Sequence, residues 1–127
     1  MAGHNWVVKK IAKHHSDQGQ LVYAEHCTAG KFSKPPPSFG ARGRKYIPDV
    51  CVGNKNIVYE VEPYFTLKHS ISQVKAFGND CEIKKFIIVI SSGTEDGIPK
   101  LEPLLERNNV KYCRLVNWRT LFNEFGI

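Results

Sequence analysis

Apolar residues recur along this chain with two periods. Over 5–17 they fall at Val7, Val8, Ile11 and Ala12, with His15 on the same face, which is the spacing of an amphipathic helix. The string DQGQ ends that pattern, and LVYAEHC (21–27) reads as a strand with Glu25 near its end. A connection over 28–43 follows, with KPPPS and glycines at 30, 40 and 43. Its prolines remove amide donors and argue against regular hydrogen bonding there. KYIPDVCV (45–52) and NIVYEVE (56–62) read as strands joined by GNK, a turn short enough to make the pair antiparallel. Pro63 stops the second.

Helical spacing returns in TLKHSISQVKAFGN (66–79), where Leu67, Ile71 and Val74 share a face and Gly78-Asn79 is the stop. KKFIIVIS (84–91) is a continuous apolar run, as in a strand covered on both faces. IPKLEPLLERNN predicts a helix with Pro99 in its first turn and Leu101, Leu104 and Leu105 inward. VKYCRLV (110–116) is a last strand, and NWRTLFNEF a last helix capped by Asn117. The order α-β-β-β-α-β-α-β-α predicts an α/β fold, a mixed sheet with helices on both faces, in a single domain over 1–127.

Composition changes this picture little. The 127 residues are 42% hydrophobic and 24% charged, enough for one core and too apolar for a disordered polyelectrolyte. No apolar run nears the roughly 18 residues of a membrane span, and the N-terminus lacks a signal-peptide core, so the expectation is an intracellular, cytoplasmic protein. Cysteines 27, 51, 81 and 113 form no close pair, which argues against a zinc site; Cys51 and Cys113 sit in apolar strand patterns as ordinary buried thiols, and spacing leaves a disulfide open. The formal charge of +6 permits an acidic partner.

The acids matter more. Glu60 and Glu62 are two apart on one strand and so face the same way, opposite to Tyr59 and Val61. A tight turn brings Asp49 toward them from the neighbouring strand. Three like charges in an apolar setting are costly unless a cation or strong donors offset them. Hard oxygen ligands favour Mg²⁺ or Mn²⁺. The competing reading is an exposed strand edge with solvated acids.

Pro48-Asp49, ten residues, then Glu60-Val61-Glu62 resembles the active-site core of the PD-(D/E)xK nuclease superfamily. The resemblance implies a restriction endonuclease-like αβββαβ core with a mixed central sheet and, beyond residue 91, a C-terminal βα extension. It implies that Asp49 and Glu60 hold the metal, with Glu25 as a further ligand. Glu62 stands where the usual lysine is missing; some restriction endonucleases of this superfamily have Glu-x-Glu, the second glutamate helping to activate water. Lys68 is a candidate for the relocated positive charge. QVKAF (73–77) is similar to the Gln-x-x-x-Tyr element of RecB-like nucleases, which would turn Gln73 toward the acids or the DNA backbone.

The implied activity is Mg²⁺-dependent (or Mn²⁺-dependent) endonucleolytic hydrolysis of DNA, leaving 5′-phosphate and 3′-hydroxyl ends, with RNA still open as substrate. Arg42, Arg44 and Lys45, just before the Asp49 strand, are candidates for backbone phosphate contacts. His26 and His69 read as incidental polar residues. Two other classes stay open: an inactive nucleic-acid-binding module that kept the fold, and a structural or assembly protein. Trp118, Phe122 and Phe125 would serve either a homodimer contact or, as the favoured reading, this chain's own core.

Overall fold

The computed structural model describes residues 3–24, 39–41, 44–110 and 113–127, with backbone alone for 39–41, 44–46 and Phe65. Helix α1 (His4–Asp17) buries Val7, Val8, Ile11, Ala12 and His15, the face its periodicity predicts. Strand β1 (Val22–Ala24) follows; Glu25, His26 and Cys27 lie outside the described residues.

The next stretch departs from expectation. Phe39–Ala41 (β2) and Arg44–Tyr46 (β3) pair with each other as a separate two-stranded hairpin. The predicted strand 45–52 is therefore two pieces, because the chain bends at Pro48-Asp49 before β4 (Val50–Val52) begins. Proline has no amide for the ladder, so a break there is the inexpensive solution. Strand β5 (Ile57–Glu62) then runs antiparallel to β4.

The predicted helix 66–79 is also two pieces, a 3-10 segment (Tyr64–Ser70) and α2 (Ile71–Gly78). The tight winding starts where the Thr66 amide donates to the Pro63 carbonyl at 3.1 Å, three residues back. Strand β6 (Phe86–Ile90) is buried along its whole length. Helix α3 (Ile98–Arg107), strand β7 (Cys113–Asn117) and helix α4 (Trp118–Phe125) complete the chain. The Asn117 side chain caps α4 by accepting the Arg119 amide. Gly126, at φ +78°, closes it in the left-handed conformation.

The main sheet has the order β1-β4-β5-β6-β7, antiparallel from β1 to β5 and parallel from β5 to β7. It is thus a mixed sheet in an α/β fold. One face packs on α1 and α4 through Tyr59, Val61, Ile87, Val89, Leu121 and Phe122. The other packs on α2 and α3 through Val58, Val74, Phe77, Ile88 and Leu105. Alternation along β5 sends Tyr59 and Val61 to the first face. Trp118 and Phe125 pack against this first core. Cys51, Cys81 and Cys113 are free thiols. Among the described residues, no helix is long and apolar enough to cross a membrane.

Candidate active site

The β4–β5 register sets Val50 opposite Tyr59, which brings Asp49, one residue before, beside Glu60. Asp49 Oδ2 accepts the Val61 amide at 2.8 Å, so a side chain continues the pairing of β5 past the end of β4. Asp49 is 4% exposed and Glu60 3%. Two carboxylates this deep and this close cannot both ionise cheaply. Burial pushes Asp49 up, but hydrogen bonds with the Glu60 carboxyl, His4 and the Val61 amide outweigh it and hold Asp49 below the ordinary carboxylate value.

Helix α2 supplies the next contact. Gln73 Nε2 donates to Glu60 Oε2 at 2.8 Å, joining the residue picked out from QVKAF to the acidic pair. Glu62, half-buried at the end of β5, accepts the Thr66 hydroxyl at 3.0 Å. It is the more accessible of the two glutamates. Lys68 is exposed and enters no ion pair among the described residues. His69 is exposed as well. Arg44 and Lys45 fall on β3, where the backbone alone is described; Arg42 and Glu25 lie outside the described residues.

Sequence reasoning missed His4. Its Nε2 lies 3.2 Å from Asp49 Oδ1, and its Nδ1 lies 3.0 Å from Asn5 Oδ1. With acceptors at both nitrogens the ring is an imidazolium. The hydrogen bond to Asp49 outweighs the opposing effect of burial and, with help from Asn5 and the Asp49 and Glu62 charges, raises His4 to about 9. The signal that points to it is indirect: buried acids require a counter-charge, and a histidine stands at the first position of the first helix.

No group of three or more His, Cys, Asp or Glu side chains among the described residues is set to hold a metal ion. The donor chemistry of the pair nevertheless suits a hard divalent cation: two adjacent, buried carboxylates with a third acid nearby. The His4 imidazolium stands in for such a cation against Asp49. Two clefts run along α1 rather than over the acids. One, of about 370 Å³, is lined by residues including Lys10, His14 and Phe125; the other, of about 410 Å³, by residues including Ser16, Gln20 and Leu21. Geometry and chemistry, not cavity size, single out the acidic pair.

In comparisons with protein-family models, curated proteins and solved structures, no significant match to the chain was found.

Proposed function

We propose that this chain is a metal-dependent endonuclease of the restriction endonuclease-like fold, hydrolysing phosphodiester bonds in DNA to leave 5′-phosphate and 3′-hydroxyl ends. The observation that carries the reading is the buried Asp49–Glu60 pair with Gln73 donating into it. The chain path supports it too. From α1 through the antiparallel β1, β4 and β5, then across α2 to the parallel β6, it follows an αβββαβ order, with β7 and α4 as an extension.

Asp49 and Glu60 would hold Mg²⁺ or Mn²⁺, which when bound supplies a Lewis acid for charge developing on the phosphoryl and leaving oxygens. The rest is the work of side chains. The Val61 amide fixes Asp49, and Gln73 fixes Glu60, so neither carboxylate reorganises during the reaction. Glu62, steadied by Thr66, accepts a proton from the attacking water. As the water oxygen bonds to phosphorus, the bond to the 3′ oxygen breaks, and that oxygen takes a proton from a solvent water as it leaves, giving the 3′-hydroxyl. Arg44 and Lys45, on the hairpin preceding Asp49, are assigned to backbone phosphates, a role independent of base sequence.

One observation favours a second reading, an inactive nucleic-acid-binding module. His4 already offsets the charge of the pair, and Glu62 occupies the position of the usual lysine. End-labelled linear, nicked, single-stranded and four-way-junction DNA, incubated with Mg²⁺, Mn²⁺ or EDTA, separates the two. Metal-dependent cuts support the nuclease; binding with no cuts on any substrate supports the module.

A further inference from the structure

Trp6 is 46% exposed on α1, yet it does not stand alone. Its ring meets Trp118 edge-on, with centroids 5.6 Å apart at 82°, and tilts against Phe122 at 5.6 Å. Lys10 Nζ lies 5.7 Å from the Trp6 ring centre, and the Arg119 guanidinium 5.2 Å from that of Trp118. Among the described residues, neither cation is in an ion pair. Glu95, before α3, accepts the hydroxyl of Thr120 on α4 at 2.6 Å.

The position is informative. Glu62, Ile90 and Asn117 are register partners across β5, β6 and β7, so Asn117 lies about 10 Å from Glu62, two strand spacings away. Trp118 follows Asn117 directly. On α1, Trp6 and His4 are two residues apart, roughly 5.5 Å between Cα atoms by helix geometry, and His4 touches Asp49. The two indoles thus lie at the same end of the sheet as the acids, on the face that α1 and α4 cover, while Glu60 and Glu62 point to the other face. An indole face flanked by unpaired cations matches one class of ligand: an unpaired nucleobase stacked on the ring while the adjoining phosphates meet Lys10 and Arg119.

We infer that Trp6, with Trp118, Lys10 and Arg119, forms a stacking platform for an unpaired nucleobase at the same end of the sheet as the acidic pair. Resting on the nuclease reading, this directs the site to single-stranded or branched nucleic acid rather than continuous duplex.

The test is binding in EDTA, which does not depend on cleavage. Fluorescein-labelled single-stranded DNA, the same sequence in RNA, its duplex, and an abasic strand of equal length are titrated with wild type, Trp6→Ala, Trp6→Phe and Lys10→Glu. Tryptophan quenching and anisotropy should favour the single strands over duplex and over the abasic strand, and the DNA and RNA arms identify which polymer is preferred. Trp6→Ala should weaken single-strand binding at least about fivefold without changing affinity for the abasic strand, and Trp6→Phe should retain most of it. Lys10→Glu should weaken binding of all strands. Equal affinity of Trp6→Ala and wild type for the single strand overturns the platform, even if metal-dependent cleavage is found. Sedimentation showing a dimer that Trp6→Ala dissociates overturns it in favour of a contact between copies. Platform binding without cleavage on any substrate leaves the platform standing and sinks only the nuclease reading.

Discussion

His4 Nε2 lies 3.2 Å from Asp49 Oδ1, so the first residue of the first helix brings a positive charge to a carboxylate buried at the sheet edge. The contact ties α1 to the chemistry of β4 and β5 and explains how two buried acids persist side by side.

Replacing that cation should have two opposed effects. In EDTA, His4→Gln should destabilise the protein by about 1 kcal/mol, a few degrees in Tm, because His4 is part-exposed and the pair loses its charged donor. Mn²⁺ should then raise the Tm of His4→Gln more than that of wild type, since Asp49 Oδ1 is released. Thermal melts with and without Mn²⁺ measure both. An equal Mn²⁺ shift in the two proteins would show that His4 and the metal do not compete.

Gln73→Ala should leave Glu60 without its side-chain amide donor, at a stability cost of about 1–2 kcal/mol. Cleavage should fall about 10- to 100-fold, as expected for a residue that orients a ligand rather than one that binds the metal. Gln73→Glu should be worse than Gln73→Ala, because it adds a like charge against Glu60.

A pH effect arises on the opposite face of the sheet. His15 lies 2.7 Å from the Tyr59 hydroxyl and 2.7 Å from Gln20 Oε1, with His14 and Phe125 against it. Burial lowers its pKa, outweighing the Gln20 hydrogen bond, and the neighbouring His14 lowers it further. The folded protein therefore holds His15 neutral where the unfolded chain would protonate it. Its contribution is present above the unfolded value of about 6.5 and is lost as pH falls through that value toward the folded one. Urea melts should show stability declining below about pH 6.5, and His15→Gln should flatten that decline. An unchanged acid limb in His15→Gln would assign the effect elsewhere.

The loop after β6 gives a packing test near Glu62. A Cβ on Gly97 would lie 2.7 Å from Tyr64 Cε2, and the Tyr64 amide donates to Ser92 Oγ at 2.9 Å. Gly97→Ala should cost about 1–3 kcal/mol through this clash. In a Tyr64→Ala background the same change should cost much less, and denaturant melts of the four proteins close the cycle.

Much of this arrangement was legible in the sequence, and the failures have local causes. The i, i+2 rule and the short GNK turn were enough to bring Asp49, Glu60 and Glu62 to one end of a strand pair, and the resemblance of QVKAF to the Gln-x-x-x-Tyr element carried Gln73 toward them. The apolar run ending at Ile90 and the Asn117 cap were equally direct. His4 was not legible, because its partner lies 45 positions away and the apolar period of α1 begins after it. The β2–β3 hairpin was hidden by the proline-rich stretch before it. The splitting of 45–52 at Pro48 and of 66–79 into 3-10 and α segments reflects hydrogen bonds that periodicity does not encode: Asp49 to the Val61 amide, and Thr66 to Pro63.

The central claim is that Asp49 and Glu60 act as a metal-holding pair for phosphodiester hydrolysis. Cleavage of end-labelled DNA by wild type and Asp49→Asn, measured across a Mn²⁺ titration, tests it most directly. Asparagine keeps an acceptor for the Val61 amide, so the variant should fold with stability within about 1 kcal/mol of wild type. Wild type should make cuts that require the metal and end in 5′-phosphate, and a folded Asp49→Asn should make none above background. Cleavage by Asp49→Asn equal to wild type, or cuts that persist in EDTA, would contradict it.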